Sequence, residues 1–158
     1  SFMSYSMEIA DSINNFLTKN NFDYIFDKEE GFFRFDISIK GKLKSISYII
    51  LLVKNDIVVY ANSPIGADVD NADEMAEIAE FLHRANYSLM NGNFELNYNN
   101  GQIRFKFCVY CDNFIPDTSV IYNAIAVSLK PFEVYSNGII SIMYGGMSAR
   151  DAYNLCRE

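Results

Sequence analysis

Alternating apolar and polar positions predict the strands of this chain. In residues 33–40, apolar side chains alternate strictly with polar ones, which is typical of a strand with one buried and one wet face. Residues 45–54 are apolar on both faces, so we expect a central strand whose second face is also covered. Residues 57–62 predict a third strand. Because the connections are short, the three strands should form an antiparallel meander.

Apolar residues spaced by three and four positions predict helices on either side of this meander. The first helix covers residues 7–20. The second begins at a cap formed by Asp70 or Asn71 and stops near Gly92, where glycine suits a helix end. Both helices show one apolar face, so we expect each to pack against the sheet.

A hairpin is predicted after the second helix. Residues 94–98 and 103–111 both alternate between apolar and polar positions. Between them, Asn100-Gly101 is the preferred pair for a two-residue type I′ turn. Residues 23–26 also have some strand character, but they are not one of the five predicted strands.

The C-terminal third is predicted to be helical and interrupted. Asp117 or Thr118 caps a helix that Pro131 should kink, since proline cannot donate a backbone hydrogen bond. Gly145-Gly146 predicts a break, and Ser148 caps a last helix.

These elements predict an α+β fold in the order αβββαββα. Five antiparallel strands form one sheet, with helices mainly on one face and a kinked C-terminal helical segment. The chain has 158 residues, of which 50% are hydrophobic, including 11 Tyr and 13 Phe. Residues 1–158 are therefore expected to form a single domain with a sizeable aromatic core.

Charge and composition limit the kinds of partner and the cellular compartment that we expect. The net charge is −7, and the nearest basic cluster, Lys40, Lys42 and Lys44, is typical of solubilising charge at a turn. We therefore expect that the protein does not bind nucleic acid. The longest apolar run, residues 46–53, is too short to cross a membrane. Residues 1–10 lack the features of a signal peptide, and three irregularly spaced cysteines suit a reducing compartment. We therefore expect a cytoplasmic protein.

No group of residues carries a recognisable catalytic chemistry. Cys108 and Cys111 should point to opposite faces of one strand, so they cannot jointly bind a metal. His83 is the only histidine and has no nucleophile motif beside it. The acidic run from Asp68 to Glu77 lacks the glycine and ligand spacing of a calcium loop. We therefore expect that the protein is not an enzyme and that it binds no metal or cofactor.

The element order and a short motif resemble the YbjN-like family of bacterial proteins. The motif is Phe81-Leu82-His83-Arg84-Ala85-Asn86, then Gly92-Asn93-Phe94-Glu95-Leu96 and the Asn100-Gly101 turn. This family resembles class I type III secretion chaperones in fold. The resemblance implies a dimeric regulator or chaperone that binds a partner polypeptide without ATP, and it implies no catalytic residues.

Two functional hypotheses follow. The first is a non-enzymatic, dimeric interaction protein whose partner or second copy contacts a basic and aromatic sheet surface, since Tyr and Arg are favoured at interfaces. That surface would consist of Arg34, Tyr48, Tyr60, Arg104, Lys106 and Tyr110. The alternative is a small-ligand sensor with an aromatic pocket between the sheet and the C-terminal helix. That pocket would be lined by Phe132, Tyr135, Ile139 and Tyr144.

Overall fold

The computed structural model describes residues 4–158; residues 1–3, part of the segment expected to lack a signal peptide, lie outside this range. In the described part, four helices and six strands follow the order αββββαββαα. Their bounds are α1 Met7–Lys19, β1 Tyr24–Asp27, β2 Phe32–Ser38, β3 Ser45–Val53, β4 Asp56–Asn62, α2 Ala72–Tyr87, β5 Asn93–Leu96, β6 Ile103–Tyr110, α3 Thr118–Gly145 and α4 Ala149–Cys156.

The strands form one antiparallel sheet in the spatial order β1-β2-β3-β4-β6-β5. The α+β class, the meander and the hairpin are confirmed. The predicted count of five strands is corrected to six, because β1 is a four-residue edge strand too short to show clear alternation. Phe26 of β1 stacks on Phe33 with ring centroids 4.2 Å apart, while Ile25 is 57% exposed on the other face.

The hairpin turn between β5 and β6 is wider than the predicted two-residue turn. The backbone N–H of Asn97 donates to Gln102 O, and Gly101 N–H donates to Asn97 O at 2.7 Å. The Asn97 and Asn100 side chains accept bonds from the backbone of Asn99 and Gln102. These local bonds stabilise the four-residue loop that replaces the type I′ turn.

The helices lie on one face of the sheet. Tyr48 of β3 is fully buried and donates its hydroxyl to the backbone oxygen of Ile125 in α3, at 2.9 Å. At the other end, Phe22 after α1 packs on Phe35 of β2, with ring centroids 5.0 Å apart. The core therefore fills the space between this face and the helical layer.

The long C-terminal helix α3 continues through Pro131 and stops only at Gly145. Gly146 follows with a left-handed backbone, φ +64°, which confirms the predicted break at the glycine pair. Helix α4 then folds back, and the Glu77 carboxylate of α2 accepts a bond from Ala149 N–H at its start, at 2.6 Å. No helix within residues 4–158 has the length and apolarity needed to span a membrane.

Candidate partner-binding face

The sheet face opposite the helices presents its side chains in cross-strand rows. The first row contains Phe32, Leu51, Val58 and Cys108, which lie directly opposite one another on β2, β3, β4 and β6. We call it the apolar row. Directly opposed side chains contact each other on one sheet face, so the row forms a continuous hydrophobic strip.

The second row is mixed. It contains Arg34, Ile49, Tyr60 and Lys106 in the same strand order. The Arg34 guanidinium lies 5.4 Å from the centroid of the Phe32 ring, so this cation covers one end of the apolar row. Polarity therefore increases across the face, away from the apolar row.

Glu95 of edge strand β5 organises the charges at the polar side. Its carboxylate accepts from Arg104 Nε and from Lys106 Nζ, each at 2.7 Å. Partial burial raises the pKa of Glu95, but the hydrogen bonds and charges of Lys106 and Arg104 outweigh it and leave the pKa below its ordinary value. Arg104 also lies 4.2 Å from the centroid of the Tyr60 ring, so it is held between Glu95 and the aromatic side chain.

Strand β6 has an open edge beyond the first residue of β5. Asn93 begins β5 opposite Lys106, whereas β6 continues to Tyr110. The backbone oxygen of Ile103 bonds toward the β4 side and that of Gln102 toward the β5 side. Because this direction alternates along a strand, the N–H and C=O groups of Cys108 and Tyr110 point to the vacant side. We call these groups the open edge. They have no backbone hydrogen-bond partner among residues 4–158.

A cleft of about 730 Å³ runs beside the open edge. One wall is β6 from Phe107 to Tyr110, and the other is the first half of α3, including Val120 and Asn123. Tyr110 is 76% exposed at its mouth. The cleft therefore leaves room for one more extended strand beside β6.

Five of the six predicted surface residues lie on this outer face: Arg34, Tyr60, Arg104, Lys106 and Tyr110. Tyr48 does not, and the prediction is corrected for it, because its ring points into the core and stacks on Phe35 at 5.1 Å. The sequence reasoning missed the apolar row and the open edge. The apolar residues on both faces of β3 were the one available signal.

The predicted sensor pocket between the sheet and α3 is filled. Phe132 and Ile139 are fully buried core residues, and Phe132 packs edge-on against Phe94 with ring centroids 5.2 Å apart. Tyr144 is 74% exposed near the end of α3. Tyr135 lines a cavity between the segment after α2 and the middle of α3. These four residues therefore line no common pocket.

The cysteines are placed as predicted, on opposite faces of the strand end. Cys108 is exposed and Cys111 is buried. Burial and the Asp56 charge raise the pKa of both thiols, that of Cys111 to about 11, so neither is a thiolate at neutral pH. His83 is exposed on α2. Residues 4–158 contain no cluster of three metal-ligating side chains.

Thiol labelling tests this arrangement. With iodoacetamide at pH 8, Cys108 should be alkylated well before Cys111, because Cys108 is open to solvent in the folded chain and Cys111 is buried. Mass spectrometry of the digested protein gives the order, and the guanidinium-unfolded chain serves as the control in which both react. Equal rates in the folded protein would contradict the assigned faces.

The known structures match in fold. YbjN from E. coli, described as a candidate transcription regulator, superimposes with a TM-score of 0.57 at 10% identity, covering 84% of this chain and 90% of that chain. The fold is YbjN-like. A chain of the ExsC–ExsE complex gives a TM-score of 0.52 at 13% identity, covering 84% and 94%. The similarity to both structures confirms the fold that the sequence predicted, which is YbjN-like and type III secretion chaperone-like. No protein-family model and no curated protein matches the sequence.

Proposed function

We propose that this protein is a non-enzymatic interaction protein that binds a partner polypeptide in a regulatory or chaperone-like role. One observation carries the proposal: the apolar row ends on β6 at Cys108, where the open edge begins. An extended partner segment satisfies both features, because its backbone pairs with the edge while alternate side chains reach the strip and the cleft.

The structural neighbours support this proposal. One of them is a complex between two proteins, and YbjN is described as a candidate regulator. Both descriptions fit a protein that acts through another macromolecule. On the same basis we propose a bacterial, cytoplasmic setting.

The chemistry of the side chains favours binding over catalysis. Perturbed acids, bases or nucleophiles in a cleft are typical of active sites. Here the cleft beside β6 contains Cys108, whose raised pKa keeps it protonated, and none of its lining residues within 4–158 is a carboxylate or a histidine. These features suit a surface for apolar and backbone contacts.

Substitution at the open edge tests the proposal. Tagged protein is used to capture proteins from a bacterial lysate, and bound proteins are quantified by mass spectrometry. Tyr110→Pro removes the edge N–H without touching a bond to β4, so it should lower recovery of the partner at least fivefold relative to Tyr110→Ala. The alanine variant keeps the N–H and is the matched control.

A second pair of variants tests the apolar row. Val58→Asp places a charge in the hydrophobic strip and should abolish capture, whereas Val69→Asp, on an exposed loop before α2, should leave it unchanged. Circular dichroism checks that each variant is folded. If no protein is enriched, or if all folded variants recover it equally, the proposed role of this face is wrong.

We further propose that the protein is a homodimer. Several apolar side chains of the outer face remain partly exposed, such as Val53 at 45%, and a second copy is one way to cover them. Sedimentation velocity of wild-type protein and Val58→Asp decides this point. A monomer at every concentration would reject the dimer and leave partner binding to the capture experiment.

A further inference from the structure

A second concave surface lies between the segment after α2 and the middle of α3. Its volume is about 330 Å³, within the roughly 300–1,000 Å³ of small-molecule sites. Most of its exposed lining surface is apolar, and its aliphatic lining residues are Leu89, Met90, Val127, Pro131 and Val134. The three α3 residues follow one another at spacings of four and three, so they form one stripe along the helix. We call this surface the α3 groove.

The charged side chains that line the α3 groove are both cations, Lys130 and Arg157. The whole chain carries a net charge of −7, so two cations with no carboxylate among the described lining residues form a local exception. A groove with apolar walls and a positive rim complements a molecule that has an apolar body and an anionic end.

Arg157 lies beside two tyrosines. Its Nη1 donates to the Tyr135 hydroxyl at 3.4 Å, and its guanidinium lies 6.0 Å from the centroid of the Tyr153 ring. The Tyr135 hydroxyl also lies 3.3 Å from Ser88 Oγ. These groups place one cation and two hydroxyls at the same end of the groove. A guanidinium positioned in this way can bind a carboxylate through two parallel hydrogen bonds.

We propose that the α3 groove binds a free fatty carboxylate. The alkyl chain lies along Val127, Pro131 and Val134, and the carboxylate lies between Lys130 and Arg157. Most of the binding free energy then comes from the buried alkyl chain, while the two cations select an anionic head group. The groove meets the cleft beside β6 at Asn91 but includes no residue of the outer sheet face, and the inference does not rest on the proposed partner binding.

A tryptophan reporter tests the proposal directly. The chain contains no Trp, and Met90 is 93% exposed at the rim, so Met90→Trp adds one fluorophore without disturbing the core. Titration with decanoate below its critical micelle concentration should give a saturable blue shift. Tyr122→Trp, on a part of α3 outside the groove, should give none.

The head group is tested in the same Met90→Trp background. Replacing Lys130 and Arg157 together by Ala should weaken decanoate binding about tenfold, and neutral decanol should bind the unaltered groove about tenfold more weakly than decanoate. Calorimetry with wild-type protein confirms that the reporter has not created the site. Absence of a saturable signal in the Met90→Trp protein, equal binding of decanoate and decanol by that protein, or unchanged decanoate binding after both cations are replaced would overturn the proposal.

Discussion

Replacing Phe94 by Ala will lower the free energy of unfolding by about 3–5 kcal/mol. Phe94 is 3% exposed and lies at the centre of an aromatic cluster that joins β5, β6 and α3. Its ring meets those of Phe105, Phe132 and Tyr135 edge-on, at centroid distances of 5.3, 5.2 and 6.2 Å. Truncation loses these contacts and leaves a cavity that the rigid surroundings fill only in part.

Urea denaturation followed by circular dichroism measures this change. Small domains are stable by only about 5–15 kcal/mol, so the variant should unfold at a much lower urea concentration. Phe114→Ala is the matched control, because that phenylalanine is 44% exposed on a loop and should change stability by less than about 1 kcal/mol. Similar losses in both variants would contradict the assigned core.

Replacing Gly138 by Ala will also destabilise the protein, by about 1–3 kcal/mol. A Cβ at this position would overlap the Phe81 ring of α2 and lie 2.9 Å from Cys156 Sγ of α4. The same substitution in an open helix position stabilises by up to about 1 kcal/mol, because alanine favours helix. The sign of the effect therefore shows whether three helices meet closely at Gly138.

Gly145 provides the control for this prediction. It lies in the last turn of the same helix, and a Cβ there would have no neighbour within 4 Å. Gly145→Ala should be neutral or slightly stabilising. Thermal unfolding resolves the difference, since 1 kcal/mol corresponds to about 2–4 °C for a domain of this size. A rise in melting temperature for Gly138→Ala would show that α2 and α4 lie farther away than described.

Strict alternation explains why much of the sheet could be predicted from sequence. In β6, Phe105 and Arg104 differ so clearly in polarity that their faces follow directly, and the structure places them accordingly. In β3 both faces are apolar, so alternation separates Tyr48 from Ile49 without telling which of them meets the helices. The partner of Tyr48 is the Ile125 carbonyl, 77 residues away, which local patterns do not encode.

The candidate sites are harder to predict from sequence than the sheet, because they depend on tertiary geometry. The open edge exists because β5 begins only at Asn93, opposite Lys106, while β6 continues to Tyr110, and strand ends are the least predictable part of a sequence pattern. The α3 groove depends on Arg157, which reaches it only because α4 folds back beside α3. No periodicity in the sequence connects that arginine with Lys130.

Because the two sheet faces are separate, the surface residues of the sheet can be substituted independently of the core. Core residues such as Phe105 and Val59 alternate with outer-face residues such as Lys106 and Tyr60 along the same strands. Substitutions at the outer positions should cost little stability, because no helix of the described chain packs on them. Specificity for the proposed partner can therefore change one surface position at a time, while the fold persists.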